Sequence, residues 1–164
     1  MRPMPELNEI VPNLWQGSRS SIWNHLWKDR FDILVLCAEE WQPPKEVFPK
    51  VELIYAPNSD DPLRVPTYNE LQRAVAAARE IAAAVYMGKK VLNTCMAGLN
   101  RSGLVSALAL HFLTGEDGLT CMTRVRRKRD RALGNPQFQK VLSRVPKIRV
   151  GLQDPDPVFP RCAT

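Results

Sequence analysis

The chain predicts an α/β fold: a central, mainly parallel, twisted sheet of about four to five strands flanked by helices. Three observations carry this. Short apolar runs at 33–37, 51–56 and 90–93 alternate with longer stretches of helical periodicity at 67–86 and 102–113. The length of 164 residues suits one domain with a sizeable core. A composition that is 45% hydrophobic and 24% charged is that of a globular protein.

The elements follow in order. A short strand is expected over 10–16, where Ile10, Val11, Leu14 and Trp15 cluster, and a helix over 20–28. Ile33-Leu34-Val35-Leu36 is continuous enough for a strand covered on both faces, and Val51 to Ala56 gives another. The stretch 67–86 reads as an amphipathic helix whose apolar run from Ala74 to Val85 is broken by Arg79 and Glu80. Gly88-Lys89-Lys90 lacks the glycine spacing and hydroxyl of a nucleotide-binding loop and reads as a helix stop and turn. A strand over 90–93 then enters a tight loop, and helices are expected over 102–113, 119–131 and 136–145. The second of these helices is expected to carry Leu119, Met122 and Val125 on its apolar face. Residues 1–145 form the predicted domain; Pro146, Pro155, Pro157 and Pro160 mark 146–164 as a proline-rich tail.

Composition also excludes. No apolar run reaches membrane-spanning length, and Met1 to Glu6 has no apolar core of a signal peptide. Four widely spaced cysteines argue for a reducing, cytoplasmic setting and against a disulfide framework. His25 and His111 are far apart and form no ligand cluster, so neither a metal nor an organic cofactor is implied. The formal charge of +6 favours anionic partners without naming one. Much of it lies in Arg124, Arg126, Arg127, Lys128, Arg129 and Arg131, which is read as a solvated helix face in preference to a nucleic-acid or phospholipid strip.

The chemistry concentrates in Cys95-Met96-Ala97-Gly98-Leu99-Asn100-Arg101-Ser102. A strand, a tight loop and a helix N-terminus make an anion cradle, because backbone N–H groups and the helix dipole converge. A thiolate at its floor attacks a phosphate ester, and a guanidinium at its rim holds the ester's oxygens bidentately. The spacing alone is weak, since Cys121 also precedes an arginine, Arg127, by six positions. That second segment has no glycine and reads as continuous helix, so its cysteine is a buried one without a role.

The loop resembles the Cys-x5-Arg-Ser signature of the cysteine-dependent phosphatases of the protein tyrosine phosphatase superfamily, in particular their dual-specificity group. The likeness runs over about residues 8–145: Asn8 to Ser18 resembles the opening strand and turn, Phe31 to Leu36 a buried strand, and Val125 to Arg129 with Asn135-Pro136-Gln137-Phe138 the closing helices. The resemblance implies Cys95 as nucleophile, Arg101 as transition-state ligand and Ser102 as hydroxyl donor to the sulfur. Backbone N–H groups of Met96, Ala97, Gly98, Leu99, Asn100 and Arg101 would bind the phosphate oxygens. A helix N-cap is the plainer role for Ser102. The general acid is expected on a loop before the long helix, where Asp61 is preferred and Asp60 remains the alternative. Thr94 stands where the family has histidine, which puts thiolate formation in question. Cys37 falls near the same strand ends, as a buried inert thiol or a partner for Cys95 under oxidation. The implied substrate is a phosphorylated protein, with phosphotyrosine first and phosphoserine or phosphothreonine as the wider range. Asn100-Arg101-Ser102-Gly103 also resembles the loop ending of RNA 5′-phosphatases, and a phosphate-binding pseudophosphatase is the third reading.

Overall fold

The computed structural model describes residues 6–25 and 30–148. Five strands form one sheet: β1 (Leu7–Val11), β2 (Leu14–Ser18), β3 (Ile33–Ala38), β4 (Glu52–Asn58) and β5 (Val91–Cys95). Their spatial order is β1-β2-β5-β3-β4, with β1 antiparallel to β2 and the other pairings parallel. The expected strand over 10–16 is therefore a hairpin. Pro12 and Asn13 lie between its strands, and Asn13 takes φ 72°, a left-handed conformation that asparagine tolerates better than most side chains.

β5 lies between β2 and β3, and all five of its residues are buried. Alternation along the parallel strands divides the core in two. Ile33, Val35 and Cys37 face one cluster with Val91 and Cys95. Leu34, Leu36 and Leu92 face a second with Trp15, Ile22, Phe31 and Phe48. The helices are α1 (Arg19–His25), α2 (Tyr68–Tyr86), α3 (Arg101–Thr114), α4 (Gly118–Lys128) and α5 (Pro136–Ser143). The first cluster includes residues of α2, α3, α4 and α5, whereas Ile22 of α1 belongs to the second. α3 is buried along its length from Arg101 to His111, as expected of a helix without a polar face. It stops at Gly115, which adopts φ 72°.

Two expectations change. The buried face of α4 is Gly118, Cys121 and Val125, with Met122 at its margin and Leu119 45% exposed. Gly118 causes the rotation: a Cβ there would fall 2.1 Å from the Leu142 carbonyl oxygen of α5, so the helices touch at a position only glycine fits. Arg129 also leaves the supposed solvated face, because α4 ends at Lys128 and Arg129, in extended backbone, is 1% exposed. The expected tail begins in contact with the domain, through Ile148 N–H donating to Gly115 O at 2.8 Å; residues 149–164 lie outside those described, as do residues 26–29 of the expected first helix. No helix among the described residues is long and apolar enough to cross a membrane.

Candidate active site

Parallel register places Cys95 at the carboxyl end of β5, opposite Ser18 of β2. That end of an open α/β sheet is where ligands bind. The chain then turns through residues 96–100 into α3. Gly98 takes φ 68°, and a Cβ on it would stand 2.3 Å from the carbonyl carbon of Gly17. Both conformation and space require glycine here.

The loop's carbonyl groups point outward and are all engaged. Met96 O accepts from Arg19 N at 3.2 Å, and Leu99 O from Leu133 N at 3.1 Å. Gly98 O accepts from Gln16 Nε2 at 3.0 Å and from Arg129 Nε; Ala97 O accepts from Arg129 Nη2 at 3.2 Å. The N–H groups of residues 96–100 find no acceptor among the described residues. Peptide planes fixed this way, together with the N-terminus of α3, make a nest of donors above Cys95.

Cys95 Sγ lies 3.3 Å from Ser102 Oγ, and both side chains are buried. Ser102 is not the N-cap of α3; Asn100 holds that position, which leaves the Ser102 hydroxyl to the sulfur. Asn93 Nδ2 fixes this turn by donating to Ser102 O at 2.8 Å and Ser106 Oγ at 2.9 Å. Arg101 is 5% exposed. Its Nη1 and Nη2 meet the two carboxylate oxygens of Glu40, with Nη2 to Oε1 at 2.7 Å. Nη1 also donates to Asn58 O at 3.1 Å. The Arg101 hydrogen bond holds the Glu40 carboxyl below its usual range. Arg101 Nε is buried with no partner among the described residues. An orphaned buried donor on a guanidinium is costly unless a ligand accepts from it.

The two aspartates separate. Asp60 is half-buried, and its carboxylate accepts from Asn135 Nδ2 at 2.9 Å and from Asn100 Nδ2 at 3.2 Å. Asp61 is exposed and accepts from Leu63 N at 2.9 Å, a turn-forming bond that spans Pro62. Asp60 therefore sits against the anion loop and Asp61 does not. The loop carrying both is moored by Glu70, the N3 residue of a capping box with Thr67. Its carboxylate accepts from Ser59 N at 3.1 Å, Thr67 N at 2.7 Å and both terminal nitrogens of Arg64.

Thr94 turns to the other face of β5, where its hydroxyl donates to Val35 O at 2.8 Å. Cys37 is a free, buried thiol that donates to Asn93 Oδ1 at 3.2 Å, and burial pushes it well above the ordinary thiol range. Cys121 is likewise pushed up by burial to about 12, and α4 runs unbroken from it past Arg127. His111 bonds Glu116 O through Nδ1 at 2.7 Å; the His25 side chain is outside those described. Sequence reading missed Glu40, Asn58 and Gln16, and misplaced Arg129. Glu39-Glu40 directly after a fully apolar strand was the available signal, because the carboxyl ends of such strands converge on the site.

Solved structures share this architecture. Human DUSP28 aligns with a TM-score of 0.71 at 25% identity, over 86% of this chain and 92% of its own. Tk-PTP in its active form gives 0.67 at 27%, over 84% and 94%. A mouse putative dual specificity phosphatase complexed with zinc tungstate gives 0.68 at 22%, over 87% and 89%. No protein-family model and no curated protein sequence matches the chain. The fold is that of the dual-specificity phosphatases of the protein tyrosine phosphatase superfamily.

Proposed function

We propose that the protein hydrolyses phosphomonoesters through a phosphocysteine intermediate, with phosphotyrosine in proteins as the first substrate class. The observation that carries this is that Arg101 Nε and the N–H groups of the loop following Cys95 have no partner among the described residues. A phosphoryl group supplies the oxygen acceptors that such donors lack.

In this mechanism Cys95 Sγ attacks phosphorus while the bond to the leaving oxygen breaks. Arg101 and the loop N–H groups hold the three equatorial oxygens, where charge is spread in the transition state. Glu40 grips Arg101 by its terminal nitrogens and so fixes the side on which Nε faces the ligand. Asp60, in place of Asp61, protonates the leaving oxygen; acid catalysis of this kind contributes ~10²–10⁴ in rate. Water then attacks phosphorus, Asp60 takes its proton, and Ser102 donates to the departing sulfur.

Apolar side chains support an aryl substrate. Leu63, Val65 and Tyr68 are exposed beside the acid loop, with Leu63 at 90%. Trp41 follows Glu40 and carries the Arg19 guanidinium 5.5 Å from its ring centroid. Exposed apolar side chains of this kind suit contact with a phosphotyrosyl ring. The RNA reading loses support, because Arg126 and Arg129 are spent on backbone carbonyls and Arg124 pairs with Glu116 at 2.6 Å. A nucleophilic thiol needs reducing conditions, which favours a cytoplasmic setting.

The test is hydrolysis of an aryl phosphate, a phosphotyrosyl peptide and a 5′-triphosphorylated RNA by wild type and Cys95→Ser. Cys95-dependent turnover of the first two supports the reading. Turnover that survives Cys95→Ser, or confined to RNA, refutes it. Oxyanion binding without turnover at any pH makes the protein a pseudophosphatase.

A further inference from the structure

Resting on that reading, we propose that Arg129 is a positioning residue of the active site: it shapes the anion cradle from behind, without touching the substrate. The guanidinium enters the fold immediately after α4, where Arg129 N donates to Val125 O and closes the helix. Its three nitrogens then reach three different places. Nε donates to Gly98 O, Nη2 to Ala97 O at 3.2 Å, and Nη1 to Asn8 Oδ1 on β1 at 2.8 Å.

Arginine suits this position by shape. A planar fork can bond two successive carbonyls and a third group in one plane, which an ammonium cannot do. Pulling the Ala97 and Gly98 carbonyl groups outward turns the N–H groups of Gly98 and Leu99, which share those peptide planes, toward the anion. The cradle's donors are thus aimed by a side chain 31 residues further along the chain.

The segment that follows is built for the same purpose. Arg131 and Leu133 both adopt positive φ, 64° and 61°. Non-glycine residues seldom do so, and such strain persists only when the surroundings fix it. Arg126 fixes it, by donating from Nε to Ala132 O at 2.9 Å and from Nη2 to Leu133 O at 2.7 Å. The strained turn in turn presents Leu133 N to Leu99 O at 3.1 Å. Three consecutive loop carbonyls, on Ala97, Gly98 and Leu99, are therefore held from the stretch 129–133.

The experiment measures tungstate binding by calorimetry, alongside kcat and KM for an aryl phosphate, in wild type, Arg129→Met, Arg129→Lys and Ile81→Val. Tungstate is a tetrahedral dianion that needs the cradle but no acid and no turnover. Ile81→Val removes one methylene from the buried core side of α2 and serves as the stability control. Arg129→Met is expected to weaken tungstate at least ~10-fold and raise KM with it, with Arg129→Lys in between and Ile81→Val unchanged. Tungstate affinity unchanged in Arg129→Met, with only the melting temperature lowered, overturns the proposal. If the methionine variant does not fold, Arg129→Lys decides: wild-type affinity in it overturns the proposal and a loss of ~3-fold or more sustains it. Wild type that fails to bind tungstate is a different result, which removes the phosphatase reading itself.

Discussion

Replacing Glu70 by glutamine removes the charge that moors the acid loop while keeping the side chain's shape. The wild-type carboxyl is held down at about 2, chiefly by the hydrogen bonds from Arg64 and then by the backbone N–H groups of Thr67 and Ser59. Against an ordinary glutamate near ~4.3, that is a gap of about two units, or ~3 kcal/mol at ~1.4 per unit. Arg64 is 40% exposed, so water screens the pair and ~1–2 kcal/mol is the working value. Glutamine at N3 keeps a capping-box acceptor, so the loss is mainly that of charge. The folded value lies below the unfolded one. The contribution is therefore complete above about pH 4.5 and disappears as pH falls toward 2. Urea denaturation at pH 7 should find Glu70→Gln less stable by that amount, and the gap should narrow at pH 3. Activity should follow the loop: phenyl phosphate, whose leaving group needs a proton, should slow more than p-nitrophenyl phosphate. A stability gap of the same size at pH 7 and pH 3 would refute the charge argument.

Other perturbations are decided by geometry already described. Asp60→Asn should abolish the basic limb of the pH–rate profile and cost ~10²–10⁴ in kcat on phenyl phosphate, whereas Asp61→Asn should stay within a few-fold of wild type; the reverse order would restore Asp61 as the acid. Gly98→Ala places a methyl group against the Gly17 carbonyl, so tungstate binding and turnover should both be lost; an active Gly98→Ala enzyme would mean the loop is not held as described. Thr94→His must give up the hydroxyl bond to Val35 O and overfill a buried site, costing ~1–3 kcal/mol. It should also move the acidic limb of the pH–rate curve to lower pH, and an unmoved limb would show that position 94 does not govern thiolate formation. Glu40→Gln should raise KM and lower kcat together, because Arg101 loses the charged partner that orients it.

The layered fold was legible because continuous apolar runs such as Ile33 to Leu36 and the glycine of the 96–100 loop follow local rules. Cys95, Arg101 and Ser102 were legible as a candidate site for the same reason: the residues of the loop are contiguous in sequence. The opening hairpin was not, since Pro12-Asn13 lies in an apolar stretch that reads as one strand when only periodicity is weighed. Which aspartate lies against the anion loop was ambiguous because Asp60 and Asp61 differ by one position, and it is the Asn100 and Asn135 side chains that separate them. Arg129 looked like its basic neighbours. Its burial depends on where α4 ends and on carbonyl groups 31 and 32 residues away, which no local pattern encodes.

The seat of Gly98 against Gly17, with Gln16 bonded to its carbonyl 82 positions away, has a kinetic meaning. The Cys95 loop cannot reach this shape until the first hairpin has docked beside β5, a parallel pairing between distant parts of the chain. Closing so long a loop belongs to the slow part of folding. Recovery of turnover after dilution from denaturant should therefore lag behind the recovery of helical circular dichroism, and the Cys95 loop becomes a late reporter of the assembled sheet.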